Sequence, residues 1–136
     1  MARTGGVDIH FLEVPGDAVE LQREGQVLCG GRRLEDGALA RGHFVAPTVA
    51  SAPYGHRLWR EELFLPLVLV GEVESLDEAI TRANDSDYGL TAGFYGAPQE
   101  IATFHERIEA GVTYVNRPQG ATTGAWPGYQ PFGGWK

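Results

Sequence analysis

The chain is poor in sulfur: its 136 residues include one cysteine, Cys29, and one methionine. A single thiol excludes an internal disulfide framework, and the cytoplasm is the expected location. Basic residues are also scarce, with Lys and Arg totalling 11 against 18 Asp and Glu, for a formal net charge of -7. Binding a phosphate backbone needs a basic face, so nucleic acid is not an expected partner. Long apolar runs are missing as well. The longest, Leu63 to Val70, is far too short to cross a bilayer, and no membrane association is expected. The N-terminus carries Arg3 without an apolar segment behind it, so neither a signal peptide nor an anchor is expected. His10, His43, His56 and His105 are scattered without metal-ligand spacing; they read as surface or loop residues, with no metal site.

What is present fits one globular domain, with 43% hydrophobic residues and 19 glycines. That glycine content is about twice the usual frequency and predicts many turns and close backbone approaches. The richest stretch is 116–136, where Gly120, Gly124, Gly128, Gly133 and Gly134 are interleaved with Pro118, Pro127, Pro131, Trp126, Tyr129, Phe132 and Trp135. It contains no acid, so Arg117 and Lys136 reverse the sign of the chain locally. Glycine-rich turns can present nests of N–H donors to an anion, with the aromatics as pocket walls. Composition alone leaves a structural loop equally open.

Periodicity predicts the order of elements. A short polar helix is plausible at 17–24, a buried strand at Gln26 to Gly30 ended by Gly30-Gly31, and an extended piece at Phe44 to Val49. Leu67 to Val73 reads as a continuous apolar strand covered on both faces. Ser75-Leu-Asp-Glu78 is a capping box, followed by Leu76, Ala79, Ile80 and Ala83 at one-face helical spacing. Leu90 to Tyr95 is the next strand. Ile101, Phe104 and Ile108 mark a second helix that Gly111 can terminate, and Val112 to Val115 is a third strand delivering Asn116 to the glycine-rich segment. Strand, helix, strand, helix, strand implies right-handed crossovers and a parallel sheet, with ligands at the carboxyl ends of strands.

Cys29 lies between Val27-Leu28 and Gly30-Gly31 with no neighbouring His, Lys or helix start to lower its pKa, so it reads as a small buried strand residue. Glu61-Glu62, flanked by Arg57 and Arg60, reads on physics alone as a solvated charge cluster.

The motifs taken together resemble the C-terminal part of the catalytic domain of NAD(P)-dependent aldehyde dehydrogenases. Gly-His-Phe-Val-Ala-Pro-Thr at 42–48, Glu62-Leu-Phe-Leu-Pro66, Asp77-Glu-Ala-Ile80, Asn84, Tyr88-Gly-Leu90, Gly111-Val-Thr-Tyr-Val-Asn116 and Pro131-Phe-Gly-Gly134 occur in family order. The resemblance runs over residues 26–136 and leaves 1–25 as a poorly matched N-terminal segment. It implies an α/β fold, a partial aldehyde dehydrogenase catalytic domain with a parallel-sheet βαβαβ core. The stretch 123–134 is similar to the L-glutamate gamma-semialdehyde (pyrroline-carboxylate) dehydrogenase branch, which acts in proline catabolism.

The family's chemistry starts with a cysteine thiolate attacking the aldehyde; hydride passes to the nicotinamide, and a glutamate activates the hydrolytic water. By resemblance, Glu62 hydrogen-bonds the ribose hydroxyls of NAD or NADP and Phe64 packs beside the nicotinamide. Gly124 and Ala125 offer N–H groups to the carboxylate of a small aldehyde substrate, Phe132 walls the aldehyde pocket, and Asn116 shapes the site. Leu65 stands where most members have glycine. The family's nucleophile, its general base and its dinucleotide-binding domain all precede the matching region, so no catalytic residue is expected in this chain and the isolated chain is expected to be inactive. The family is usually homo-oligomeric. A non-enzymatic carboxylate-binding or interaction module, or a truncated gene remnant, remain the competing readings.

Overall fold

The computed structural model describes residues 21, 23–118 and 133–136. The chain divides into two compact units, Met1–Gly71 and Glu72–Lys136. Of the helix expected at 17–24, only Leu21, Arg23 and Glu24 fall among the described residues, and all three are helical.

In the first unit, strands β1 (Gln26–Cys29), β4 (Thr48–Ser51) and β5 (Leu67–Leu69) form a sheet in the order β1-β4-β5. Strand β4 pairs antiparallel with β1 and parallel with β5, in the register Val49 opposite Val68. Between β1 and β4, the short strands β2 (Arg33–Leu34) and β3 (Phe44–Val45) form an antiparallel pair. Ala50, fully buried in the central strand, packs with Leu21 and Leu58, and Val27, Leu63, Leu67 and Leu69 close around them. The Gly30-Gly31 turn ends β1 as the sequence predicts. Both residues have positive φ, and a Cβ on Gly30 would sit 2.1 Å from the Pro47 carbonyl oxygen, so only glycine fits.

Three expectations for this unit change. Strand β1 is mostly exposed, Cys29 included, because its partner among the described residues is β4 alone and the register shifts between Val27 and Cys29. Val27 therefore reaches the core while Leu28 and Cys29 do not. Strand β5 is shorter than the apolar run and has one covered face: Leu67 and Leu69 pack inward, whereas Val68 is 57% exposed. His56 is buried, not a surface residue. Its Nδ1 accepts the Leu58 N–H at 3.3 Å and caps the short 3-10 helix Arg57–Trp59, a role that requires a neutral ring nitrogen.

The second unit contains helix α1 (Leu76–Asn84), strand β6 (Thr91–Phe94), helix α2 (Ile101–Arg107) and strand β7 (Val112–Val115). With β5, the order is the predicted βαβαβ. Strands β6 and β7 run parallel, Thr91 opposite Val112 through Phe94 opposite Val115, with α2 as the crossover. Period-two alternation puts Ala92 and Phe94 on one face, where they meet Ile80 of α1 and Phe104 and Ile108 from α2 and its end. The Phe94 and Phe104 rings stack at 5.1 Å. A two-stranded sheet is marginal by itself, and these helices supply its hydrophobic cover.

Ser75 caps α1 by accepting the Glu78 N–H. The Glu78 carboxylate reaches back one residue further than an ordinary capping box, to the Glu74 N–H, and also takes a guanidinium fork from Arg82. The Glu74 N–H, and after it Arg82, hold the Glu78 carboxyl below the ordinary carboxylate range. Helix α2 ends at Arg107, with Ile108 already extended, so Gly111 is not its terminator. Glycine is needed there because a Cβ would lie 2.1 Å from the Gly133 carbonyl oxygen.

Candidate functional site

In the first unit, the segment between the 3-10 helix and β5 alternates: Leu63 turns into the core while Glu62 and Phe64 face outward. Arg57 forms its ion pair with Glu61 at 2.5 Å, which leaves Glu62 outside that pair. An exposed carboxylate of this kind can accept two hydroxyl hydrogen bonds at once. Phe64 has φ 51 and is 83% exposed. A bulky side chain in the left-handed region is strained, and such strain collects at functional positions. The ring is thus held away from the core by the backbone. Leu65 is not among the positive-φ residues, so leucine in place of the family's glycine meets no backbone conflict.

In the second unit, Asn116 follows β7 directly and also has a left-handed backbone, φ 47. Its N–H donates to the Phe94 carbonyl. Its side chain then prolongs the ladder: Oδ1 accepts the Gly96 N–H and Nδ2 donates to the Gly96 carbonyl, each at 3.0 Å. The amide imitates one more strand residue while the main chain turns away. Asn116 is therefore occupied in fixing the carboxyl ends of β6 and β7. The guanidinium of Arg117 lies over the Tyr114 ring at 4.8 Å.

Gly124, Ala125 and Phe132 lie outside the described residues, as do Trp126 and Tyr129. The two ends of the stretch that contains them lie on the second unit at opposite ends of the β6–β7 pair: Asn116 at the carboxyl ends of the strands, and Gly133–Lys136 against Gly89 and Gly111, which precede them. Lys136 is not the unopposed cation that composition suggests. Its Nζ lies 2.7 Å from Glu109 and donates to the Asn84 and Ser86 carbonyls. Asn84, matched by motif but given no role by the sequence, bridges two elements through its side chain: Nδ2 donates to the Arg107 carbonyl and Oδ1 accepts the Glu109 N–H. The signal for it was its place directly after a one-face helical pattern, where Asn can satisfy backbone groups.

Among the described residues, no group of three or more His, Cys, Asp or Glu is arranged to hold a metal ion, and no helix is long and apolar enough to cross a membrane. Cys29 is a free thiol on β1.

A sequence model of the Aldehyde dehydrogenase family matches residues 16–136. A structure of 1-pyrroline-5-carboxylate dehydrogenase from Thermus with bound NAD superposes with TM-score 0.81 at 35% identity, covering 94% of this chain and 24% of that one. Gamma-glutamyl-gamma-aminobutyraldehyde dehydrogenase from Burkholderia cenocepacia gives TM-score 0.78 at 31% identity, over 96% of this chain and 25% of that one. A mutant of aldehyde dehydrogenase C from Pseudomonas syringae, complexed with NAD+ and octanal, gives 0.77 at 30% identity, over 96% and 26%. The chain thus spans about a quarter of the length of these structures. With matching over nearly its whole length, the chain belongs to the aldehyde dehydrogenase family.

Proposed function

We propose that this chain carries the cofactor-contact and substrate-anchor part of a dehydrogenase that uses NAD or NADP to oxidise a small aldehyde bearing a carboxylate, L-glutamate gamma-semialdehyde in proline catabolism, to the acid. The observation that carries this reading is the 35% identity, over 94% of the chain, to a 1-pyrroline-5-carboxylate dehydrogenase with bound NAD. The exposed Glu62 and the outward, left-handed Phe64 suit the nucleotide. Glu62 accepts hydrogen bonds from its ribose hydroxyls, and the Phe64 ring packs beside the nicotinamide. When bound, the cofactor accepts the hydride released as the aldehyde becomes a carboxylic acid. Gly124 and Ala125 donate backbone N–H groups to the substrate carboxylate, Phe132 walls the aldehyde, and Asn116 sets where that segment leaves the sheet. The nucleophilic thiol and the general base are not assigned to this chain, so it binds and orients without carrying out the oxidation.

Ala125→Pro removes one of the two proposed donors without adding charge. A hydrogen bond to a charged group contributes about 1.5–3 kcal/mol, so the dissociation constant for L-glutamate should rise by about tenfold or more. Calorimetric titration measures this, with circular dichroism verifying the fold of the variant. Equal affinity in a folded variant would remove the anchor from this loop.

A further inference from the structure

The segment that carries Glu62 and Phe64 is tied to both ends of β4. Downstream, the Pro66 carbonyl accepts the N–H of Thr48, the first residue of that strand, at 2.8 Å. Upstream, the Trp59 indole Nε1 donates to the carbonyl of Ala52, just past the strand's last residue, at 3.2 Å. Between these ties Leu63 packs against the core of Leu21, Ala50 and Leu58, so residues 60–66 run back along β4 with Glu62 and Phe64 exposed. The Trp59 ring is itself backed. Tyr54 lies 5.2 Å from it between ring centroids, and the Tyr54 hydroxyl approaches Gly71 beyond β5, where a Cβ would come within 2.5 Å of it. The indole is half-buried, and its N–H takes a main-chain carbonyl at the exit of the central strand. Phe64, with φ 51, needs such restraint, because a strained backbone persists only where its surroundings over-determine it.

We propose that Trp59 is a positioning residue for nucleotide binding: the hydrogen bond from its indole to Ala52 clamps the upstream end of 60–66 and so sets where Glu62 and Phe64 stand. Side chains and backbone held in place beforehand lose less freedom when a ligand arrives, which raises affinity without a direct contact. The consequence for the nucleotide rests on the cofactor-contact reading above; the clamp itself does not.

Trp59→Phe keeps a ring against Tyr54 and removes the N–H. NMR order parameters of the Glu62 and Phe64 amides should fall from about 0.85 toward about 0.6. The dissociation constant for NAD+, titrated on the same chain, should rise about fivefold. Val27→Ala destabilises the same core from β1 and leaves the clamp intact, so it should keep NAD+ affinity within about twofold of the wild type. Unchanged order parameters in Trp59→Phe would overturn the clamp. Looser amides with unchanged NAD+ affinity would overturn the positioning role, as would an equal loss of affinity in Val27→Ala. If the wild-type chain does not bind NAD+, the cofactor-contact reading fails and the nucleotide consequence with it, and the clamp is decided by the order parameters alone. Should Trp59→Phe fail to fold, benzothienylalanine at position 59 keeps the bicyclic ring without the N–H and is read by the same two measurements.

Discussion

Phe64 and Asn116 both occupy the left-handed backbone region, but for different physical reasons. Asn116 is a residue type that tolerates this conformation, and its side chain gains two hydrogen bonds to Gly96 by adopting it. Among the described residues Phe64 gains no comparable bond, and its ring is presented outward. Asn116→Ala should lose both amide bonds and strain the backbone, lowering stability by about 2 kcal/mol. Asn116→Gly should cost about half of that, since it loses the bonds and keeps the backbone relaxed. Urea unfolding of the two variants checks the split, and an alanine variant as stable as the glycine one would contradict it. None of this is visible in the sequence around 62–64, where Glu-Leu-Phe reads as ordinary alternation. Leu63 before Phe64 and Leu67 after it both pack against the core of Leu21, Ala50 and Leu58, contacts that no local pattern encodes.

At the scale of elements, the helices and strands from β5 to β7 were legible because their apolar spacing and local caps agree. Ser75 and Glu78 sit three residues apart and cap α1 as that spacing predicts, although Glu78 turns to the Glu74 N–H. Local rules failed where the answer depends on distant partners. Cys29 and Val68 look buried by pattern and are exposed, since β1 and β5 flank β4. Gly111 looks like a helix terminator and is a packing glycine against Gly133. The Glu78 carboxyl gives the first helix a pH dependence whose sign is fixed. Its folded pKa is depressed, so its contribution to stability is fully present above the unfolded value and is lost as pH falls through the folded one. Glu78→Gln should therefore flatten the acid limb of stability from the ordinary glutamate range downward. Denaturant midpoints across that range measure it. An unchanged acid limb would assign the loss to other carboxylates.

For the whole molecule, the function proposed above separates family membership from capacity for chemistry. The chain matches aldehyde dehydrogenases over 94% of its own length, yet covers only 24% of the Thermus structure. Fold and family were legible in the sequence because ordered motifs such as Glu62-Leu-Phe-Leu-Pro66 and Pro131-Phe-Gly-Gly134 are specific in combination. The candidate site was legible only in part. Glu62, Phe64 and Asn116 could be named from motifs, whereas the seat of Lys136 unites Asn84, Ser86 and Glu109 across some fifty residues of sequence, and no local pattern encodes that. Its charge, which by composition belonged to an anion site, is committed to Glu109 and the end of a helix. The most direct test of this division between binding and chemistry is NADH formation by the purified 136-residue chain supplied with NAD+ and L-glutamate gamma-semialdehyde. The predicted result is no turnover above the protein-free control; NADH formation that disappears in Cys29→Ala would contradict it.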